Sequence, residues 1–189
     1  MTVKPLGPGK PFKVLGVDPG LARMGWGVVE KKGSAFRALA YGTLETKAGK
    51  PIPERLKEIY EGLEALLAKH RPDVVAMEEL FFSRNTKTAI VVGQARGVSL
   101  LACGMAGVQV AEYRPMEIKQ AVTGWAGADK GQVQKMVKLL LGLTETPRPD
   151  DTADALAIAI THAQSAGTPL SEMVKRLSRK DPGTAKQSR

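Results

Sequence analysis

Apolar residues follow two distinct rhythms along this chain. Through Phe12–Asp18, then Gly25-Trp26-Gly27-Val28-Val29-Glu30 and Arg37-Ala38-Leu39-Ala40-Tyr41-Gly42-Thr43-Leu44, they form short runs rich in β-branched and aromatic side chains. Asp18-Pro19-Gly20 and Lys31-Lys32-Gly33-Ser34 punctuate these runs. Runs of this length between turn formers predict three strands, and their short connections predict an antiparallel meander. From Pro53 the spacing becomes helical. Leu56, Ile59, Tyr60, Leu63, Leu66 and Leu67 share one face until His70-Arg71-Pro72-Asp73 stops the segment. Residues 74–77 predict a fourth strand, about 88–105 a second helix, and 108–111 a fifth strand. Val133, Met136, Val137 and Leu140 mark a third helix after the Gly-rich Gly124-Trp125-Ala126-Gly127, and a fourth begins near Asp151. The order βββ-α-β-α-β-α-α predicts an α/β fold. Its mixed five-stranded sheet has strands four and five parallel to the first and helices on both faces.

At 189 residues the chain has room for one full core and little for a second. The pattern predicts a domain over residues 12–164. A loose Pro/Gly/Lys-rich extension covers 1–11, and a basic tail over 165–189 is polar enough to be disordered. Lys and Arg outnumber Asp and Glu by 28 to 19, a net charge of +9, which suits a polyanionic partner such as nucleic acid. The tail, with six basic residues against two acids, supplies +4 of that, so the domain itself carries only a modest excess. The single cysteine, Cys103, excludes an internal disulfide, and its apolar surroundings make it a core residue. With no CxxC or His-rich zinc pattern, no signal-like segment and no run of roughly 18 apolar residues, the chain is expected to be cytoplasmic, away from membranes.

Candidate chemistry lies in acids placed where burial should exclude them. Asp18 ends the first strand, Glu78 ends the fourth, and Asp151 and Asp154 open the apolar run 155–160. Unpaired buried carboxylates are costly, and acids brought from separate segments to one place repel each other unless a cation neutralises them. Strand-end acids face the crevice where α/β folds bind ligands, and Asp18 and Glu78 become neighbours if their strands pair in parallel. Asp151 and Asp154, three apart, share a helical face with Cβ atoms about 5–6 Å apart. Oxygen ligands without His or Cys favour Mg²⁺ or Mn²⁺ over zinc. Plainer readings exist for each acid. Asp18 before Pro-Gly can simply open a turn. One of Glu78 and Glu79 must face solvent by strand alternation. Asp151 can cap a helix with Asp154 answering it.

Four segments taken together resemble the RuvC family of bacterial Holliday-junction resolvases, crossover junction endodeoxyribonucleases of the ribonuclease H-like superfamily. They are Gly16-Val17-Asp18-Pro19-Gly20, Ala76-Met77-Glu78-Glu79-Leu80-Phe81, Gly93-Gln94-Ala95-Arg96-Gly97 and Asp151-Thr152-Ala153-Asp154-Ala155-Leu156-Ala157. The likeness runs from about Phe12 to His162. It implies a ribonuclease H-like fold and a homodimer that nicks two opposed strands of a four-way DNA junction symmetrically in recombination and repair. It also implies assistance from branch-migration proteins of the RuvA and RuvB type. On the family's pattern Asp18, Glu78, Asp151 and Asp154 are the catalytic metal ligands, and Glu79 is not. Phosphodiester hydrolysis that leaves 5′-phosphate and 3′-hydroxyl ends is suited to two Mg²⁺ or Mn²⁺ ions roughly 3.5–4 Å apart.

The segment after Glu78 carries Phe81, Phe82, Arg84, Asn85, Thr86 and Lys87. Exposed aromatics can stack on unpaired bases, although the rings can instead belong to a core, a reading that for Phe82 weighs about evenly. Phe81 matches the family's stacking aromatic, with Arg84, Asn85 and Lys87 as DNA contacts beside it. Lys119 and Lys130 match catalytically important lysines of the family and are expected to hold phosphate or stabilise transition-state charge. The loop around Trp125 is either a flap over DNA or a core plug. Helix two, with Ala89, Gly93, Ala95, Gly97 and Ala102, allows close helix–helix approach, and the resemblance places the dimer interface there. Two rival readings compete. An actin-like or sugar-kinase phosphotransferase shares the opening strand and hairpin but needs a second lobe. A non-catalytic junction binder would not need all four acids.

Overall fold

The computed structural model describes residues 11–79 and 86–165, the side chains of 86–88 excepted. The predicted extension and tail therefore lie outside the described residues, apart from Pro11 and Ser165. Val14-Leu15-Gly16-Val17 has no polar face, as befits a strand covered on both sides, and β1 (Phe12–Asp18) is indeed the central strand. β2 (Arg23–Lys32) pairs antiparallel with it, and β3 (Ala35–Glu45) pairs antiparallel with β2 across a turn with Gly33 at φ 61. After α1 (Ile52–His70), β4 (Val74–Glu78) joins β1 in parallel. α2 (Thr86–Met105) then leads to β5 (Val110–Tyr113), parallel to β4. The sheet order β3-β2-β1-β4-β5 and its mixed directions match the expected fold.

Two differences from the sequence reading stand out. β5 begins at Val110, two residues later than expected, because Val108 packs against the core ahead of the strand. The chain also has a fifth helix. α3 (Pro115–Thr123) precedes α4 (Lys130–Leu140) and α5 (Asp150–Ser165). Pro115 at its start accommodates the first turn, where an N–H is not needed, and only Ile118 and Val122 are buried.

Strand alternation divides the interior into two cores. Leu15, Val17, Val28, Val75 and Met77 face α1 and α2, where Cys103 is fully buried as expected. Burial raises the Cys103 thiol to about 11. Val14, Val29, Val74 and Ala76 face α3, α4 and α5. α5 is buried from Thr152 to Ala163 except at Asp154. It reaches the sheet because glycines clear the way. A Cβ built on Gly16 would lie 2.0 Å from the Ala155 carbonyl oxygen, and one on Gly25 would lie 1.9 Å from that of Asp151. Backbone therefore lies on backbone across β1, β2 and α5, and the first turn of the helix is fixed at the end of β1.

Candidate active site

The same alternation that puts Val14 and Gly16 toward α5 puts Asp18 there too. In β4, Val74 and Ala76 place Glu78 on that face. The parallel register pairs Val17 with Met77, so Asp18 and Glu78 leave adjacent strand ends together. α5 brings Asp151 and Asp154 over them. Asp150 is already helical, so Asp151 lies within the first turn and is not its cap. Glu79 turns away to Arg114, whose Nε lies 3.4 Å from its Oε2.

The acids share one electrostatic neighbourhood. Asp18 is raised from 3.8 to about 7, first by burial and then by the charges of Asp154, Glu78 and Asp151, with Lys130 opposing. Glu78 is raised by burial and then by Asp154, while Lys119 lowers it. Asp154 is also raised, because burial outweighs its bond to Lys130. Three carboxyls thus resist ionisation in the folded chain, as expected of acids gathered without a neutralising cation.

Basic side chains meet that charge in part. Lys130 Nζ lies 3.0 Å from Asp154 Oδ2 and 3.5 Å from Asp150 Oδ2. Its backbone is set by a capping box. The Gln132 amide donates to Asp129 Oδ1 at 2.8 Å, and the Asp129 amide donates to Gln132 Oε1 at 2.9 Å. Arg23, on the same face of β2 as Gly25, donates from Nη1 to Asp151 Oδ2 at 3.4 Å and from Nε to Glu45 Oε1 at 2.9 Å. Among the described residues no three acid, imidazole or thiol groups are arranged to hold one ion as they stand. The donor set nevertheless fits a hard divalent cation. It is all oxygen, it is rich in charge, and its protonation-prone carboxyls would ionise beside such an ion. Binding one requires Asp151 and Asp154 to turn from Arg23 and Lys130.

A cavity of about 230 Å³ opens beside this cluster, lined by Asp18, Glu78, Glu79, Val92, Arg96 and Pro115. A larger groove of about 450 Å³ between α1 and α2 contains none of the four acids. Lining the smaller one, Arg96 is only 8% exposed and pairs with Glu112, yet its Nη1 has no partner. Sequence reasoning assigned no role to Arg23, Arg96 or Asp150. Phe81, Phe82, Arg84 and Asn85 lie outside the described residues, as does the side chain of Lys87. Trp125 is 60% exposed, which rules out the core plug. Ala95 and Ala102 pack inside the chain against α1, so they do not form the exposed face of α2. That face carries Ile90, Leu101 and Met105, exposed by 59%, 57% and 72%.

Residues 14–162 match the model of one protein family, described as crossover junction endodeoxyribonuclease RuvC. The chain belongs to the RuvC family. A RuvC from Brevibacillus brevis is 56% identical over 166 residues, covering 87% of this chain and all of the relative. One from Chloroflexus aggregans is 58% identical over 157 residues, covering 83% and 96%. Among solved structures, T. thermophilus RuvC in complex with a Holliday junction substrate superposes with a TM-score of 0.79 at 44% identity, covering 82% of this chain and 95% of that one. RuvC membership makes the chain an endodeoxyribonuclease and removes the phosphotransferase reading. Among the described residues no helix is long and apolar enough to cross a membrane.

Proposed function

We propose that this protein resolves four-way DNA junctions in recombination and repair. Acting as a homodimer, it hydrolyses one phosphodiester in each of two opposed strands and leaves 5′-phosphate and 3′-hydroxyl ends. The observation that carries this reading is the gathering of Asp18, Glu78, Asp151 and Asp154 from β1, β4 and α5 close enough for the charges of the other three to act on Asp18. The junction-bound T. thermophilus relative supports the substrate. Asp18, Glu78, Asp151 and Asp154 would hold Mg²⁺ or Mn²⁺, two ions per site. When bound, such ions activate a water and stabilise the leaving 3′-oxygen. Lys119, whose charge acts on Glu78, and Lys130, which pairs with Asp154, would receive phosphate oxygens once the acids turn to metal. Phe81, with Arg84, Asn85 and Lys87, is the proposed wedge at the crossover.

The exposed apolar residues of α2 support the dimer. Ile90, Gly97, Leu101 and Met105 recur at seven- and four-residue steps along one face. A second copy of the chain would cover this face, and branch-migration proteins would act on the same DNA.

The test is a labelled mobile four-way junction incubated with Mg²⁺, with Mn²⁺ and with chelator. Paired, symmetric nicks are expected with metal only. Asp18→Asn should bind the junction and cut at least about a thousandfold more slowly. Undiminished cutting by that variant would sink the assignment.

A further inference from the structure

Indole carries a large apolar surface that proteins normally bury, yet Trp125 is mostly open to solvent. Its position is built all the same. Gly124 takes φ 79, a left-handed turn that ends α3, and its carbonyl accepts from Gln120 Nε2 at 2.7 Å. The Trp125 amide donates to Thr123 Oγ1 at 3.1 Å. That hydroxyl lies 2.8 Å from the Lys119 carbonyl and 3.0 Å from the Trp125 carbonyl, with its one proton for either. The ring itself rests on Gly127, where a Cβ would lie 2.7 Å from Cζ2 and 2.8 Å from Cε2. One edge of the indole is thus backed by main chain, and the rest of the ring faces outward.

The neighbourhood gives this exposed ring a meaning. Its loop joins α3, which carries Lys119, to Lys130 at the start of α4. These are the two ammonium groups that reach toward Glu78 and Asp154. The Thr123 hydroxyl ties the Trp125 backbone to that of Lys119, so a polyanion strand drawn to the lysines comes close to this loop. A pre-positioned aromatic loses little freedom on binding, and every nucleobase offers a π-face to it.

We infer that Trp125 is a stacking platform for a nucleobase of the DNA strand lying across the acid trough. This rests on the junction-nuclease reading, and it adds a base contact on the α3–α4 side of the site. An open base face exists only where stacking is interrupted, so the contact favours branched over linear DNA.

The experiment follows tryptophan emission of the full chain in chelator, titrated with a four-way junction and with a linear duplex of equal length. Wild type should be quenched saturably by the junction and much less by the duplex. Trp125→Phe, which retains only Trp26, should lose that quenching while keeping junction affinity within about threefold. Trp125→Ala and Trp125→Leu should each weaken junction binding roughly tenfold with unchanged melting temperatures. The inference is overturned if quenching persists in Trp125→Phe, if junction and duplex quench equally, or if both truncated variants bind like wild type. A wild-type protein that neither binds nor cuts the junction would instead remove the nuclease reading itself, taking this one with it.

Discussion

With burial and the charges of Asp154, Glu78 and Asp151 lifting it from 3.8 to about 7, Asp18 keeps a proton in the folded chain that it releases on unfolding. Between about pH 4 and 7 the folded state therefore binds more protons than the unfolded one, so its stability falls as pH rises through that window. The penalty is complete above about 7. Asp18→Asn removes it, so the metal-free variant should be more stable than wild type at pH 8 by about 1–3 kcal/mol, with the gain fading toward pH 4. Denaturant unfolding in chelator at both pH values checks this, and equal stability at pH 8 would contradict it. Adding Mn²⁺ should raise the wild-type melting temperature more than the variant's, because the neutral amide gives up part of the ion's site. Asp18 and Glu78 were legible in the sequence because an acid ending an apolar strand breaks the burial rule. Arg23 was not, since an exposed arginine at a strand start looks like any surface cation until Asp151 is seen 3.4 Å away. Asp150, which shares Lys130 with Asp154, was hidden by its neighbour Asp151.

Among the elements, the contact of α5 with β1 and β2 governs the site. Gly25→Ala would drive a methyl into the Asp151 carbonyl, from which the built Cβ is only 1.9 Å away. The first turn of α5 must then shift, carrying Asp151 and Asp154 with it. We expect about 1–3 kcal/mol of destabilisation and a loss of cleavage of roughly a hundredfold or more. Gly49→Ala, with nothing within 4 Å of its added methyl, should leave both unchanged. Denaturant unfolding and junction cleavage measured side by side decide the point. The strands and long helices were readable from periodicity because each buries a full face. α3 was not, since nine residues with two buried positions give a weak rhythm and Pro115 reads as a loop signal. No single residue marks the glycine contact either. Gly16, Gly25 and Gly27 stand in strands, and only the packed helix shows what they admit.

At the scale of the molecule, the two cores put the acids at one end of the sheet and leave the α2 stripe on the α1–α2 side. Leu101→Glu places a charge in the middle of that stripe without disturbing the interior of the chain, since Leu101 is 57% exposed. Sedimentation at micromolar concentration should show a dimer for wild type and a monomer for the variant, and paired nicking should become uncoupled single nicking. A variant that remained dimeric would move the interface elsewhere. Of the small residues that drew attention to α2, Ala95 and Ala102 are buried within the chain against α1, while Gly97 stands on the exposed stripe.

The near-total enclosure of α5 has a mechanical corollary. Asp151 and Asp154 ride on a helix packed on nearly every side, so their side chains can turn but their backbone is held in place. Fitting a backbone to acids held this way falls largely to the polynucleotide. A straight double helix yields little over so short a span, whereas a branch point hinges freely. Preference for branched DNA then draws on a contest of rigidities as well as on any contact with its bases.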